Sequence, residues 1–313
     1  MNSAKEGHLS ELHVRGDGGT GHMGANASGF MAQGRERIEL PVVPQMLCGI
    51  IGNPLGHSLS PVLHNWAFRE VGVAATYMAW PTPPEHLDDF MATVMTLPVW
   101  GVSVTIPHKT AVMKFCEELS GRSRAAGAVN TLHWKKGHLC GENTDVQGFL
   151  APLAEIGIKP ASALILGAGG AARAVIAGLR EWGVRNIHIA NRTPEATRTL
   201  CNHMRCQGVA WEERTSVQPE LLVNATPLGM LGERQNATPW PAEHFVRGQI
   251  VYDLIYNPGQ TRFLREARQA GCAVIPGLEM FLHQAAAQFR LWTDEELPLE
   301  GSRRLLKQVL GQA

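Results

Sequence analysis

A glycine-rich turn between an apolar strand and a helix constrains the fold of this chain more than any other sequence feature. Residues 163–182 read ALILGAGGAARAVIAGLREW, so an apolar run passes directly into Gly167-Ala168-Gly169-Gly170-Ala171-Ala172 and then into a helical pattern. The spacing matches G-x-G-x-x-G/A, in which glycines let the backbone approach a pyrophosphate at the helix N-terminus. The turn therefore predicts a Rossmann-type α/β unit that holds a dinucleotide, against the alternative of a glycine-rich helix start without a ligand.

The end of the following strand indicates which dinucleotide to expect. Residues 186–193 read NIHIANRT and end in Asn191, Arg192 and Thr193. An enzyme that uses NAD places an acidic residue near this point to bind the ribose 2′-hydroxyl. An amide, a guanidinium and a hydroxyl suit a 2′-phosphate instead, because arginine forms charge-assisted bidentate bonds to phosphate. We therefore expect NADP(H) as the cofactor.

A strand followed by a serine-containing loop begins the first half of the pattern. LCGII at 47–51 is typical of a buried parallel strand, and GNPLGHSLSPVLHN at 52–65 follows it. Ser60 stands directly before a proline and so predicts the N-cap of a helix over 61–71. Hydroxyl and free N–H groups at a helix start bind anions such as carboxylates, which makes Ser58 and Ser60 candidate ligands. Spacing alone leaves open that Ser60 only caps the helix.

Two charged residues fall at further junctions between predicted elements. VWGVSVTI at 99–106 predicts a strand that is followed by Lys109, and 127–134 with 138–145 predicts two strands joined by a tight turn. Asp145 then begins a helix. Ligands of open α/β sheets collect at the carboxyl ends of the strands, so Lys109 lies at the same edge as the serines. Lys109 is the natural partner for Asp145, although spacing alone also fits a solvated lysine and a helix-capping aspartate.

Alternating strand and helix patterns continue to the C-terminus. Further strands are predicted at 75–80, 221–226 and 250–256, and helices at 84–95, 194–206, 261–270, 276–292 and 294–310. In the helix over 276–292, Gln284 and Gln288 share one face, which spacing alone assigns to solvent. The alternation indicates an α/β fold of two domains, in which a substrate domain with a parallel-rich sheet accompanies the Rossmann NADP-binding domain. We place the first domain at residues 46–149 and 277–313, and the second at 150–276.

The first 45 residues differ in composition from the rest. They contain eight glycines and no run of large apolar residues, so little burial is available to offset the entropy of ordering. They also lack the apolar segment of a secretory signal. We expect residues 1–45 to be a disordered extension or to result from a translation start placed upstream of Met46.

Charge and cysteine usage exclude several classes of protein. The chain has 28 Lys+Arg and 28 Asp+Glu, so it lacks the basic excess of a nucleic-acid-binding protein. No apolar run approaches the length of about 18 residues that a membrane span needs. Six scattered cysteines without a CxxC motif indicate reduced thiols in a cytoplasmic protein. Cys201, His203 and Cys206 lack an evident fourth ligand, so we expect no metal. Oligomeric state cannot be predicted from the sequence, and a homodimer stays open.

Taken together, these motifs resemble the shikimate dehydrogenase family from about Met46 to the C-terminus. GNPLGHSLSPVLHN is similar to the family's substrate-carboxylate loop, and VSVTIPHK is similar to its catalytic-lysine segment. The motifs GAVNT, GENTD, LGAGGAA, ANRT, NATPLGM and GLEMFLHQAA then follow in the family's order. The resemblance implies reversible NADPH-dependent reduction of 3-dehydroshikimate to shikimate, an oxidoreductase step of aromatic amino-acid (chorismate) biosynthesis.

The resemblance also implies roles for individual residues. Lys109 and Asp145 should form the catalytic pair beside the reacting carbonyl. The substrate should be bound by Ser58, Ser60, Thr105, Asn130, Asp145, Tyr256 and Gln284. The pyrophosphate should lie on Gly167, Ala168, Gly169, Gly170 and Ala171, and the adenosine phosphate on Asn191, Arg192 and Thr193. The nicotinamide side should be lined by Thr226, Leu254 and Gly277.

Three positions depart from the family's commonest pattern. Ser103 stands where an asparagine usually precedes Val-Thr, and Glu279 replaces a glycine. Ala196 stands where a second arginine often assists the 2′-phosphate, with Arg198 close by. Two alternatives stay open: a quinate/shikimate dehydrogenase that uses NAD or NADP, and a non-catalytic NADP-binding sensor on the same fold.

Overall fold

Two six-stranded sheets organise the protein. A computed structural model describes residues 43–56 and 58–311. The first sheet contains β1 (Met46–Gly52), β2 (Ala75–Pro81), β3 (Val99–Val104), β4 (Glu118–Leu119), β5 (Thr131–Lys135) and β6 (His138–Glu142) in the order β2-β1-β3-β5-β6-β4. The second contains β7 (Ser162–Leu166), β8 (Asn186–Ala190), β9 (Gln207–Val209), β10 (Leu221–Asn224), β11 (Ile250–Asp253) and β12 (Ala273–Ile275) in the order β12-β11-β10-β7-β8-β9.

The second sheet has the topology of a dinucleotide-binding fold. Its strands pair in parallel, and from β9 to β12 their positions read 3-2-1-4-5-6 in chain order. In this order the chain reverses direction across the sheet between β7 and β10, and a crevice forms there beyond the carboxyl ends of the strands. The predicted α/β class with a Rossmann unit is confirmed.

The first sheet is mixed. β1 pairs in parallel with β2 on one side and β3 on the other, whereas β5 is antiparallel to both β3 and β6. The strand order therefore reverses between β1 and β3, which creates a second crevice of the same kind. Both crevices lie where the sequence placed its candidate residues.

Nine α-helices lie within the described ranges. Their bounds are α1 (Ser60–Glu70), α2 (Leu87–Val94), α3 (Gly121–Ala126), α4 (Thr144–Glu155), α5 (Gly170–Glu181), α6 (Pro194–Met204), α7 (Arg262–Gln269), α8 (Gly277–Thr293) and α9 (Leu299–Val309). None of them is long and apolar enough to cross a membrane.

Helix α8 packs against both α4 and the first sheet. Gly148 of α4 permits a close approach, since a Cβ there would lie 2.7 Å from the Met280 carbonyl oxygen. At the other end of α8, the Trp292 indole N–H donates to the Leu132 carbonyl at 3.0 Å. The indole covers Gly101 of β3, where a Cβ would lie 2.1 Å from Nε1. The C-terminal helix thus contacts the sheet that begins near residue 46, while the domain limits stay a prediction.

Several predicted boundaries are wrong. Ser60 is the first residue of α1 instead of its N-cap, and the Ser58 hydroxyl accepts the Ser60 backbone N–H at 3.4 Å. The last helix begins at Leu299 instead of 294, because Asp294 adopts a left-handed conformation that ends α8 and Pro298 precedes the new start. The strands predicted over 127–134 and 138–145 are shorter, with Asp145 already in the first turn of α4.

Four short elements were missed by the sequence pattern. They are β4, β9, β12 and α3, each of at most six residues. Segments of this length carry too few periodic positions to be recognised, and their partners fix them through the sheet or a cap. The prediction for residues 1–45 falls outside the described residues, apart from 43–45.

Candidate active site

The serine loop lies at the crevice between β1 and β3. The backbone N–H of Thr105 donates to the Ile51 carbonyl at 2.9 Å, and that of Asn53 donates to the Ile106 carbonyl at 2.9 Å. Thr105 therefore packs directly against the start of the loop, and its methyl group occupies the space that a Cβ on Gly52 would need. These contacts bring the loop that carries Ser58 and Ser60 beside the segment that leads to Lys109.

The serines occupy the first turn of α1 and its approach. Ser60 is buried and Ser58 is half-buried. The Ser58 hydroxyl accepts the Ser60 backbone N–H at 3.4 Å, and the first N–H groups of α1 have no intrahelical acceptors. Tyr256, which follows β11, packs its ring on Phe281 of α8 at 4.8 Å between centroids, and it shares an apolar cluster with Leu59 of the loop. Burial raises the pKa of its hydroxyl, while a hydrogen bond to the Leu59 backbone lowers it. The site offers hydroxyl and N–H donors to an anion.

Lys109 and Asp145 form a close ion pair. Lys109 Nζ lies 2.6 Å from Asp145 Oδ2, and the two side chains are 17% and 11% exposed. Most of the pair is therefore shielded from water, while a small part of each side chain stays exposed. The Lys109 carbonyl accepts the Val129 N–H at 2.7 Å, which fixes the lysine backbone against the strand that leads into Asn130. The pair predicted from two distant segments is present in the structure.

Asn130 fixes the aspartate. Its Nδ2 donates to Asp145 Oδ1 and to Thr144 Oγ1, each at 2.9 Å. Its Oδ1 accepts the backbone N–H of Thr144 at 2.7 Å, and a backbone N–H can only donate. The orientation of the amide follows from that bond. Each oxygen of Asp145 thus has one defined donor, Lys109 on one side and Asn130 on the other.

The glycine turn lies next to this ion pair. A Cβ on Gly170 would be 3.6 Å from Lys109 Cδ, so the lysine stem crosses the first residue of α5. Gly167 has φ +111, and a Cβ there would lie 2.8 Å from the Ala225 carbonyl. Only glycine fits this close approach. Gly169 faces open space, with no atom within 4 Å of a Cβ position. The turn therefore keeps an uncovered backbone surface at a helix N-terminus, which fits a pyrophosphate.

The end of β8 presents the groups expected to hold the 2′-phosphate. Arg192 and Thr193 are exposed, and Asn191 Nδ2 donates to the Thr193 carbonyl at 3.2 Å. Within the described ranges Arg192 has no hydrogen-bond or ion-pair partner, whereas Arg198 donates to Glu195 at 2.7 Å. Arg192 is thus the cation at this edge that is available to a phosphate.

The residues expected on the nicotinamide side follow β10, β11 and β12. Thr226 donates through Oγ1 to Asn224 Oδ1 at 2.7 Å, and the Leu254 N–H donates to the Asn224 carbonyl at 3.0 Å. A Cβ on Gly277 would lie 2.5 Å from the Ile255 carbonyl, so α8 begins in contact with this loop. Thr226 and the glycine turn flank the crevice between β7 and β10.

Gln284 is buried instead of solvated. It is 8% exposed, and Nε2 donates to the Phe281 carbonyl at 3.0 Å within α8. Gln288, one turn later, is 2% exposed and lies in the first sheet's polar interior. Spacing alone assigned this face of α8 to solvent. The sequence pattern marks the apolar face of the helix, but it cannot show that polar neighbours cover the opposite face. The polar neighbours come from β3 and β5, far away in sequence.

Two histidines near the site have structural roles. His108 Nε2 lies 2.6 Å from the Thr82 carbonyl and is buried. His64, on α1 below Ser60, is completely buried and stacks on Tyr77 at 4.6 Å. Burial lowers the pKa of His64 to about 3, so the ring is neutral near neutral pH. Neither ring is placed to act on a substrate beside Lys109.

Cys201 and His203, which the sequence suggested as metal ligands, lie in α6, and Cys206 follows the end of that helix. Among the residues that the structure describes, no group of three or more His, Cys, Asp or Glu side chains is placed to hold a metal ion. Burial raises the pKa of the Cys201 thiol to about 11, which disfavours the thiolate that binds metals.

Asp253, at the end of β11, provides a pH-dependent stability prediction. It is completely buried, and its carboxylate accepts from Thr261, Asn224 and the Ile255 N–H at 2.5, 3.0 and 3.1 Å. Burial nonetheless raises its pKa to about 7 from the ordinary 3.8. Between these two pKa values, Asp253 keeps a proton in the folded state and has released it in the unfolded state. The stability of the fold therefore falls as the pH rises through this window.

We expect Asp253→Asn to remove this fall. The asparagine Oδ1 can keep both N–H donors, and the Thr261 hydroxyl can turn to accept from Nδ2. Urea unfolding at about pH 5 and about pH 7.5 should show the variant gaining stability relative to wild type at the higher pH. Comparing the two proteins cancels the opposing effect of His64, whose lowered pKa makes stability rise with pH. The prediction would be contradicted if the free energies of unfolding of variant and wild type differed by the same amount at both pH values.

Comparison with known proteins identifies the family. Models described as the shikimate dehydrogenase substrate binding domain, shikimate/quinate 5-dehydrogenase and the shikimate 5′-dehydrogenase C-terminal domain match residues 50–132, 152–220 and 277–307. A shikimate dehydrogenase (NADP(+)) of Oleidesulfovibrio alaskensis is 50% identical over 275 residues, which cover 87% of this chain and 99% of the relative. The chain belongs to the shikimate dehydrogenase family.

Solved structures of this family agree with the fold. A shikimate 5-dehydrogenase from Thermus thermophilus, solved with NADP(H) and shikimate, is 39% identical with a TM-score of 0.76 and covers 84% of this chain and 99% of its own. A quinate dehydrogenase from Corynebacterium glutamicum, solved with NAD, is 28% identical with a TM-score of 0.78 and covers 84% and 99%. Shikimate dehydrogenases and quinate dehydrogenases thus share this architecture.

Proposed function

We propose that the chain is an NADP-dependent shikimate dehydrogenase, which reversibly reduces 3-dehydroshikimate to shikimate. The observation that carries the proposal is the Lys109–Asp145 ion pair, 2.6 Å apart, with the lysine stem against the first residue of α5. A proton donor and a dinucleotide-binding turn thereby meet at one point. The relative from Oleidesulfovibrio alaskensis, 50% identical, bears the name of this activity.

The substrate is a cyclic acid with ring hydroxyls, and the site offers a group for each feature. The hydroxyls of Ser58 and Ser60 and the free N–H groups of α1 bind the carboxylate. Asp145 and Asn130 bind ring hydroxyls beside the reacting carbon. The remaining sides of the substrate site are lined by Thr105, Tyr256 and Gln284. A carboxylate held at one end and a proton donor at the other set the orientation of the ring.

The cofactor fits the second crevice. Gly167 to Ala171 bind the pyrophosphate, Arg192 with its neighbours Asn191 and Thr193 binds the 2′-phosphate, and Thr226, Leu254 and Gly277 face the nicotinamide. NADPH, when bound, supplies the hydride for the carbonyl carbon.

Lys109 supplies the proton in the direction of reduction. As an ammonium, it donates from Nζ to the substrate oxygen on which negative charge develops. Asp145 holds the ammonium toward that oxygen and accepts a hydrogen bond from a neighbouring ring hydroxyl. In the direction of oxidation the same lysine, once neutral, removes the hydroxyl proton. General acid–base catalysis of this kind contributes roughly 10²–10⁴-fold to the rate.

The deciding experiment is an NADPH-linked assay of the full chain with 3-dehydroshikimate, followed at the absorbance of the reduced cofactor. We expect turnover, and the same turnover from a chain that begins at Met46. Tight NADPH binding without turnover would contradict the proposal and support the non-catalytic sensor.

A second candidate is a quinate/shikimate dehydrogenase. The model matched over residues 152–220 bears both substrates' names, and the quinate dehydrogenase of Corynebacterium glutamicum shares the fold. The exposed Arg192 favours NADP over NAD. The values of kcat/KM for shikimate and quinate, each with NADP+ and NAD+, discriminate the two activities.

The remaining assignments follow from this activity. We place the substrate domain at residues 46–149 and 277–313 and the NADP domain at 150–276. The partner of the site is a small molecule, and the enzyme works in the cytoplasm, where biosynthetic NADPH is available. A homodimer is compatible with these assignments, and size-exclusion chromatography with light scattering tests it.

A further inference from the structure

A chain of buried polar side chains runs from Tyr77 of β2 to Asp145 in the proposed substrate site. Its members are Tyr77, Ser103, Gln288, Thr131 and Asn130, and we call it the buried polar chain. The Tyr77 hydroxyl lies 2.6 Å from Ser103 Oγ, which lies 2.9 Å from Gln288 Oε1. Gln288 Nε2 lies 2.9 Å from Thr131 Oγ1, and Thr131 Oγ1 lies 2.9 Å from Asn130 Oδ1. Asn130 then reaches Asp145 at 2.9 Å.

The buried polar chain has one donor direction. Because the Thr144 backbone N–H donates to Asn130 Oδ1, Asn130 must present Nδ2 to Asp145. The Thr131 hydroxyl donates to the same Oδ1 and accepts from Gln288 Nε2. Gln288 Oε1 then accepts from Ser103, and Ser103 accepts from Tyr77. Every donor points toward the Asp145 carboxylate, so the bonds polarise one another in a common direction.

Gln288 is the member that connects the two halves. Its Nε2 donates to Thr131 Oγ1 and also to the Asn130 carbonyl at 3.3 Å, while its Oε1 accepts from Ser103. The amide therefore has a partner for each polar group while only 2% of the residue is exposed. An amide in this position costs desolvation unless all its bonds are made. Because one amide donates to both Thr131 and Asn130, the positions of Gln288 and Asn130 depend on each other.

Attachment of α8 to the sheet does not require this amide. Trp292, one turn further along the same helix, already donates to the Leu132 carbonyl at 3.0 Å and covers Gly101. Phe289 and Trp292 also pack in the apolar cluster with Phe68. An apolar side chain at 288 would keep these contacts of α8, while Ser103 Oγ and Thr131 Oγ1 would each lose a hydrogen-bond partner. The amide of Gln288 instead holds Thr131 and Asn130 in one arrangement.

We propose that Gln288 is a positioning residue that acts through Thr131 and Asn130 on the Asp145–Lys109 pair. The inference rests on the proposed function for its kinetic effect, since Lys109 must act in the reaction for a displaced pair to slow it. Gln288 touches neither substrate nor cofactor in this assignment. Its effect therefore falls on kcat more than on the KM of the substrate.

The first test is Gln288→Met, which keeps the length of the side chain and removes its polar atoms. We expect kcat to fall about tenfold, with the KM for 3-dehydroshikimate changed less than about threefold. Gln249→Met is the matched control, because Gln249 is a buried glutamine that donates to the Pro219 carbonyl at 2.8 Å in the second sheet. We expect the control to lose thermal stability similarly and to keep kcat within about twofold of wild type.

The second test uses Thr131, where the chain offers a conservative pair. Thr131→Val has nearly the same shape without the hydroxyl, so it should lower kcat about as much as Gln288→Met. Thr131→Ser keeps the hydroxyl and should restore most of kcat. A valine variant whose kcat equals or exceeds that of the serine variant would overturn the proposal, since the hydroxyl that valine lacks would then not determine kcat.

A double substitution and a spectroscopic measurement separate this inference from the proposed function. In Lys109→Ala, adding Gln288→Met should lower the residual kcat by less than about twofold, because the pair on which Gln288 acts is gone. An additive effect would overturn the proposal. The Lys109 side-chain NMR signal should move in Gln288→Met and Thr131→Val but not in Gln249→Met. This outcome does not depend on the substrate, so a wild type without turnover contradicts the proposed function alone, whereas an unmoved signal contradicts the inference alone.

Discussion

Replacing Lys109 with alanine is expected to lower kcat by roughly 10²–10⁴-fold, while the KM for 3-dehydroshikimate changes little. The ammonium donates a proton only as charge develops on the substrate oxygen, so its loss removes an interaction made in the transition state. The ground state should lose less, because in the proposed assignment the serine loop binds the carboxylate of the substrate. Initial rates with saturating NADPH over a range of 3-dehydroshikimate concentrations measure both constants.

Lys114→Ala is the control for this prediction. Lys114 lies in the same segment and also forms an ion pair, with Asp88 at 2.7 Å, but its side chain is 60% exposed. Surface ion pairs of this kind contribute about 0–1 kcal/mol, so the control should keep near-native kcat and melting temperature. A Lys109→Ala enzyme with near-native kcat would remove Lys109 from the mechanism. A large rise in KM with kcat unchanged would assign the lysine to binding alone.

Part of this candidate site was predictable because it follows local patterns. A glycine turn, a strand end with a lysine and a helix start with serines are all recognisable within about ten residues of sequence. The contact of Lys109 with Asp145 follows from a general rule for α/β sheets, which gathers strand ends at one edge. Family resemblance then selected the functional interpretation of residues such as Ser60 and Gln284, for which spacing alone favoured a structural one.

The buried polar chain was not predictable by the same means. Its members come from β2, β3, β5 and α8, and two of its contacts join residues more than 150 positions apart. Sequence periodicity reports which face of a helix is apolar but not what packs on the other face. Gln288 was therefore assigned to solvent, although β3 and β5 cover it. The departure from the family at Ser103 acquires a structural meaning only when its hydroxyl is seen between Tyr77 and Gln288.

The second large effect is expected at the cofactor site, where Arg192→Ala should raise the KM for NADPH by about 10–100-fold. A hydrogen bond to a charged group contributes about 1.5–3 kcal/mol, and each 1.4 kcal/mol corresponds to about tenfold. NADH lacks the 2′-phosphate, so its kcat/KM should change by less than about threefold in the same variant. Steady-state rates with each cofactor at saturating 3-dehydroshikimate measure the change in preference.

Arg198→Ala is the matched control for this change. Arg198 is an exposed arginine one turn into α6, and its guanidinium already donates to Glu195 at 2.7 Å. Position 196, where the family often has a second arginine, is alanine here, so the proposed assignment makes Arg192 the principal cation for the phosphate. We therefore expect Arg198→Ala to change the KM for NADPH by less than about threefold. Equal losses in the two variants would show that both arginines share the phosphate, and an unchanged NADPH KM in Arg192→Ala would contradict the assignment of NADP preference to this strand end.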